Sequence, residues 1–394
     1  MTMAEKGAAV GYANLWQGFK DKDGKDAASA FAVLEPYLEP TIRPLIGMKT
    51  VQVLLLREAL DYLILRTEDT REINEVITPS TRGGQVEIRR VAFLGGKQKA
   101  VESRECERLL REHWKTLPIE EARPAVSSIL GTPKEKKDQE DQQKKIAALS
   151  SSEQAQRLVQ GNRECFLKDN LCLRCPRCGL FGATSTETGR GQEPNIKHRI
   201  EYSTAFSLLP YEEVVEEITF NAIIDSQQIT GQALGTRPCV RPGTLFASIV
   251  TLRSATPHEL MLVLKVLLSA RSYGAESRTA GDLRNHIIGI IGGWEEVLTP
   301  LEFTLECERQ LDKVVKDAER SKVVDEAVAT YWNLCAQPSQ VLLLNASQQD
   351  ENSKLRIQNK LATLLQAVRE YTIGKEFLER AHRDVVDLRS AQGA

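Results

Sequence analysis

Four cysteines stand close together in the chain, Cys165, Cys172, Cys175 and Cys178, spaced C-x6-C-x2-C-x2-C, with Pro176 inside the last pair and Gly179 after it. Thiolates at this spacing suit tetrahedral zinc, whose Zn–S bonds are about 2.3 Å, and a Cys-Pro-Arg-Cys-Gly turn directs amide donors at the sulfurs. The six-residue gap is not a standard ribbon spacing, so His198 or Cys239 is an alternative ligand in place of Cys165 or Cys172. The plain alternative is scattered reduced cysteines. A redox pair would need a thioredoxin-like strand-to-helix setting, which the flanking Arg174, Arg177 and Phe181-Gly182 do not suggest. Four cysteines close the coordination shell and leave no position for an activated water, so a zinc here is structural and staples a segment with few apolar residues of its own.

The second chemistry is cationic. The formal charge of the whole chain is −2, which rules out nucleic-acid binding through overall charge, but the distribution is uneven. Nine Lys/Arg face five Asp/Glu between Arg82 and Lys115, and seven face three between Arg237 and His286. From Glu295 onward thirteen face seventeen. Solvated helix faces would give such counts too. Placement favours a phosphate-binding groove: Arg237 and Arg241 lie on a segment bounded by Pro238 and Pro242, and Arg271 and Arg278 lie about the Gly274 turn. Lys97 and Lys99 open a predicted helix, where free backbone amides also attract phosphate.

For catalysis the chain is poor. None of its five histidines has a nucleophile, metal or base signature beside it, and His286 on an apolar strand reads as a satisfied core residue. Asp225 and Asp282 read as turn-stabilising carboxylates. Gly289, Gly292 and Gly293 lack the spacing of a phosphate-cradling motif.

These residues must be positioned by elements whose patterns are partly clear. Residues 1 to 44 read as an irregular arm that packs onto something else. Val51 to Leu65 is a buried apolar stretch, strand at its start. Lys97 to Lys115 has the spacing of an amphipathic helix, entered through Gly95-Gly96. Thr132 to about Glu153 turns sharply polar and reads as a solvated linker or mobile insertion. Ile218 to Ile224 alternates as a half-buried strand, Asp225 to Gly243 as a long loop or extended hairpin, and Thr244 to Leu252 as the next strand. Thr256-Pro257-His258-Glu259 is a capping box that opens a helix buried nearly all round. His286 to Ile291 is a central strand, and beyond Trp294 the pattern is helical, broken near Pro338 and over Asn345 to Ser353. The resulting order, β-α-β-β-α-β, is the ferredoxin-like one, interrupted by an insertion.

The stretches Arg57-Glu58-Ala59, Tyr62-Leu63-Ile64-Leu65-Arg66, Cys172 to Gly182, Thr219-Phe220-Asn221-Ala222 and Arg271-Ser272-Tyr273-Gly274 together resemble the Cas-seven-type backbone subunits of type I-D CRISPR effector complexes, in the RAMP superfamily. The resemblance covers most of residues 45 to 292. It implies an α+β protein with a ferredoxin-like, RRM-related palm (45–116 and 200–293), a thumb hairpin (225–243), an inserted zinc-binding subdomain with a charged linker (117–199), and a helical C-terminal region (294–394) behind an N-terminal arm (1–44). It also implies copies stacked along a CRISPR guide RNA that pairs with target DNA or RNA. Further partners would be a large subunit, a Cas-five-type subunit and small subunits. RNA contact is carried onto Lys97, Lys99, Arg237, Arg241, Arg271 and Arg278.

Phosphate contacts that ignore base identity suit a backbone protein, since pairing supplies the sequence reading. The sheet lacks the stacking aromatic pair of RRMs, so backbone electrostatics would carry the affinity. Type III relatives cut RNA with a loop aspartate; likeness to the type I branch implies no nuclease activity. Two rivals follow from the same residues. One is a zinc-containing RAMP-type RNA-processing endonuclease using Asp225, Asp282 or His198, and the other is a protein adaptor using the charged C-terminal helices.

Composition agrees with a soluble globular chain of 394 residues, 41% hydrophobic and 27% charged. The longest apolar stretches, Leu260–Leu264 and Ile287–Ile291, are far short of the ~20 residues of a membrane span. The opening residues carry no cationic patch followed by an apolar stretch, so we expect a cytoplasmic setting with reduced or metal-bound cysteines.

Overall fold

The structure is a computed structural model that describes residues 28–66, 72–84, 86–163, 165, 171–184, 195–224, 229–275, 281–345 and 355–393. Its strands are β1 (Thr50–Ala59), β2 (Glu75–Pro79), β3 (Glu87–Phe93), β4 (Ile200–Tyr202), β5 (Ala205–Ser207), β6 (Val215–Ile224), β7 (Ile229–Val240), β8 (Leu245–Arg253), β9 (Leu283–Gly293), β10 (Leu342–Leu344) and β11 (Arg356–Gln358). Among the described residues nine of them form one sheet in the order β11-β10-β9-β1-β8-β5-β3-β2, with β4 also paired to β8. β1 runs antiparallel to both β8 and β9.

The centre of this sheet is buried on both faces, which is why β1 reads as one apolar run rather than an alternation. Val51, Val53 and Leu55 point into a core with helices Gly95–Thr116, Ile119–Leu130, Pro257–Ser269, Leu361–Glu370 and Lys375–Ala391. Leu54, Leu56, Ile249 and Ile291 point the other way, into a core with helices Pro300–Arg309 and Arg320–Tyr331. The polypeptide is therefore a three-layer α–β–α arrangement. Burial of the second face accounts for the missing aromatic pair: that surface faces protein, and bases have no access to it.

The capping box forms as read, with Thr256 Oγ1 accepting from the Glu259 amide at 3.3 Å and the Glu259 carboxylate accepting from the Thr256 amide at 2.9 Å. The helix it opens contributes Leu260, Met261, Val263, Leu264 and Leu267 to the core. The amphipathic helix runs Gly95–Thr116 and buries Cys106, Leu110 and Trp114.

Two expectations are corrected and a third is narrowed. The polar segment 132–153 is solvated but not a bare linker: Lys136–Ala147 and Ser152–Val159 are helices, the first with no buried residue. Strong helix formers and an i,i+4 pair between Lys145 and Asp141 at 3.1 Å sustain it. Of the two readings of 225–243, loop or extended hairpin, the hairpin holds, since β7 pairs with β6 from Ile224↔Ile229 to Val215↔Val240; residues 225–228 lie outside the described residues. The region after Trp294 is not wholly helical, because β10 joins β9 and β11 joins β10 at the edge of the main sheet.

Candidate nucleic-acid interface and cysteine cluster

The cysteine cluster is the more completely built site. Cys165, Cys172, Cys175 and Cys178 are all buried, and their Sγ atoms lie within 4.8 Å of one another. The separations Cys165–Cys175 and Cys165–Cys178 are both 3.5 Å, and Cys172–Cys178 is 3.9 Å. Tetrahedral ligands on ~2.3 Å bonds to zinc would be about 3.8 Å apart. The amide of Cys172 donates to Cys165 Sγ at 3.4 Å and that of Arg174 to Cys172 Sγ at 3.5 Å. The donor set and spacing therefore fit a metal. His198 and Cys239 are outside this group: His198 is exposed, and Cys239 sits on β7 with its thiol 3.9 Å from the Arg237 carbonyl.

Local chemistry holds the cluster in place. The short helix Pro176–Phe181 starts at Cys175 and packs on the Lys375–Ala391 helix so closely that a Cβ at Gly179 would lie 2.6 Å from Val385 Cγ2. Arg199 is buried, donates to the Gly179 carbonyl at 2.9 Å and pairs with Glu259, tying the cluster to the capped core helix. Arg177 is buried too, and its Nε donates to Ser103 Oγ at 2.9 Å on the Gly95–Thr116 helix. Hydrogen bonds from Cys165, Cys172 and Cys175 hold the Cys178 thiol well below its ordinary range. Those sulfur contacts, Cys165 first, push Cys175 upward.

Ion pairing reduces the positive counts read from the sequence. Arg90 is fully buried, with Glu308 at 2.7 Å. Arg82 pairs with Glu213, Arg89 with Glu75 and Glu212, Arg108 with Glu105, and Arg111 with Glu107. Arg253 is held by Glu201 and Glu296. Arg57, also fully buried, joins Glu102 at 2.6 Å, Asn285 at 2.9 Å and Ser248 at 3.1 Å, while Tyr273 donates to Glu102 at 2.8 Å. Sequence reasoning missed this network because its members are separated by up to 228 residues and no local pattern marks them.

The proposed RNA contacts fall in two places. Arg237, Arg241 and Arg271 come to the end of the sheet where β1 finishes. There the segment after β1 is stitched to both neighbours: Leu63 and Val240 exchange backbone hydrogen bonds of 3.0 and 2.8 Å, and the Ala275 amide donates to the Ile64 carbonyl at 2.9 Å. Gly274, at φ +82° and with a hypothetical Cβ only 2.8 Å from that same carbonyl, lets the turn after Arg271 close against it. Arg271 is exposed. Arg241 is 3.5 Å from Glu216, a carboxylate that also accepts from the Tyr62 hydroxyl; at this exposure such a pair is weak and leaves the cation accessible.

Lys97 and Lys99 stand apart, at the start of the Gly95–Thr116 helix. Burial and then the Arg177 guanidinium lower the Lys99 ammonium, and burial followed by Lys99 lowers His198. Arg278 and Asp225 lie outside the described residues. Asp282 is exposed, with its carbonyl accepting from the Leu60 amide at 2.8 Å, and His286 is bonded to Glu58 at 2.7 Å.

A family model and solved structures align with this chain. The family model described as Csc2 Crispr matches residues 37–382. The crystal structure of Thermofilum pendens Csc2 aligns with a TM-score of 0.57 and 21% identity over 93% of this chain and 97% of that one. A chain of a structure titled CRISPR RNA-guided surveillance complex, pre-nicking, aligns with a TM-score of 0.42 and 12% identity, over 80% of this chain and 98% of that one. No curated protein matches. With a family model spanning most of its length, the chain belongs to the Csc2 CRISPR family.

Proposed function

We propose that this protein is a structural, non-catalytic backbone subunit of a type I-D CRISPR effector complex, present in several copies along the guide RNA. The observation that carries this reading is the family match over residues 37–382. In this reading β9-β1-β8-β5, crossed by the Gly95–Thr116 and Pro257–Ser269 helices, is the ferredoxin-like palm, and the β6–β7 hairpin is the thumb.

Because helices cover both faces of the sheet, the strand would be gripped at the sheet's end by Arg237, Arg241 and Arg271; Arg278, outside the described residues, is assigned the same contact from the sequence alone. Lys97 and Lys99 would supply a second contact. Guanidinium and ammonium groups on phosphates bind without regard to base, leaving the bases to pair with target nucleic acid. The four-cysteine cluster is the site for one structural zinc; the Cys165, Cys172, Cys175 and Cys178 thiolates would hold it, and Arg177 would offset part of the net negative charge. When bound, the ion supplies cross-linking of the 165–178 segment and no reactive position.

The test is purification of the full chain with and without a guide transcript, followed by the ratio of absorbance at 260 and 280 nm and electron microscopy. RNA that co-purifies intact in multi-subunit particles is the expected result. Free monomer without nucleic acid would favour the adaptor reading, and cleaved guide or target would favour an endonuclease.

A further inference from the structure

Beside the sheet end lies a cavity of about 630 Å³ lined by Arg271, Arg284, Arg320 and Arg369 together with His286 and Ser321, and walled by Leu268, Ile287, Leu361 and Leu365. Four chain-distant segments build it: the end of the Pro257–Ser269 helix, β9, the start of the Arg320–Tyr331 helix and one side of the Leu361–Glu370 helix. No carboxylate is among its lining residues. Glu58, opposite Arg284 in the β1–β9 register, is already bonded to His286 at 2.7 Å. Arg271, Arg284 and Arg369 are exposed, and among the described residues none of their side chains forms an ion pair. They contrast with Arg82, Arg89, Arg90, Arg108, Arg111 and Arg253, which are held by glutamates. Arg320 is buried and its Nε donates to the Val314 carbonyl at 2.7 Å, which fixes that guanidinium in the wall.

The three exposed guanidinium groups of Arg271, Arg284 and Arg369 around one space repel one another unless an anion sits among them. One carboxylate needs a single fork; several forks at different angles fit the oxygens of phosphate, which accept bidentate pairs from more than one side. The volume falls in the range of small-ligand sites, and the aliphatic wall gives a non-polar surface beside the charge. A ligand with a flat apolar body and one or two phosphates matches both halves.

We propose that this cavity is a nucleotide-sized phosphate site, filled either by a free mononucleotide or by one nucleotide unit of a bound strand. It shares Arg271 with the guide interface proposed above but is otherwise built from residues assigned no role there, so it stands or falls separately.

The experiment titrates the full chain with AMP and, separately, with a 30-nucleotide RNA, comparing wild type with Arg284→Gln, Arg369→Gln and the remote control Arg108→Gln. Both cavity arginines are exposed, and circular dichroism confirms that the variants fold. If the source is a free nucleotide, AMP binds and each cavity variant weakens it about tenfold, as expected for removal of one charge-assisted bond to phosphate, while the control does not. If the source is a strand, AMP gives no signal and RNA affinity falls about tenfold in the same two variants alone. Equal RNA binding in all four proteins, with no AMP signal, overturns the site and leaves the guide-binding reading intact. AMP binding abolished in the variants, with no RNA binding in any protein, supports the site and sinks that reading. Absence of binding by both probes overturns the site.

Discussion

Replacing Glu102 by alanine would leave the Arg57 guanidinium charged in a dry interior. Both side chains are fully buried, 2.6 Å apart. The substitution removes that ion pair and the acceptor of the Tyr273 hydroxyl, while Arg57 keeps Asn285, Ser248 and a long bond to the Tyr273 hydroxyl at 3.4 Å, and its Nη2 has no partner even in the intact network. Breaking a buried pair on one side costs about 3–5 kcal/mol, mostly the burden of the orphaned charge. Removing both charges in Arg57→Met/Glu102→Leu should cost less than Glu102→Ala alone: Asn285, Ser248 and the Tyr273 hydroxyl each lose a partner, at about 1 kcal/mol apiece, but no ion is stranded. Urea unfolding followed by circular dichroism measures Glu102→Ala, the second single Arg57→Met and the double variant. A cost below about 1 kcal/mol for Glu102→Ala, or a double variant as unstable as the sum of the two singles, would refute the reasoning.

Other expectations follow from the same structure. Gly179→Ala places a methyl 2.6 Å from Val385 Cγ2 and should destabilise by ~1–3 kcal/mol through overpacking, read as a lowered unfolding midpoint. Elemental analysis should find about one zinc per chain, released in Cys178→Ser, with the segment around the cluster becoming protease-sensitive before the sheet core. Burial lowers His258 to about 3 and His382 to about 4, from an ordinary 6.5. A lowered folded value means that stability is complete above 6.5 and falls as pH drops toward 4. Asp384, raised by burial to about 7 from 3.8, acts oppositely, losing stability as pH rises through that window. Wild type should therefore weaken between pH 6.5 and 4, and His382→Gln should weaken less; equal slopes would contradict this assignment.

What could be read from the sequence was what is local in the chain. The capping box at Thr256–Glu259, the amphipathic helix after Gly95 and the four-cysteine spacing are each set by neighbours within about a dozen residues. Their physics leaves a trace at short range. Arginines behaved differently: whether Arg57, Arg90 or Arg199 lies inside with a glutamate or outside facing solvent depends on partners 45, 218 and 60 residues away. The counts over Arg82–Lys115 therefore overstated the free positive charge. Arg284, Arg320 and Arg369 escaped notice for the complementary reason, since only the packing of the C-terminal helices on β9 gathers them. The three-residue strands β10 and β11 are too short to show a period.

The central claim is that cations at the end of the sheet hold a nucleic-acid backbone whatever its sequence. Binding of two unrelated 30-nucleotide RNAs across a salt series, by wild type and by the triple variant Arg237→Ala/Arg241→Ala/Arg271→Ala, tests it most directly. The account predicts equal affinities for the two RNAs, falling together as salt rises, and a weaker, flatter dependence in the variant by about 0.7 in slope for each phosphate no longer neutralised. A marked preference of wild type for one sequence, or a variant with an unchanged salt slope, would contradict it.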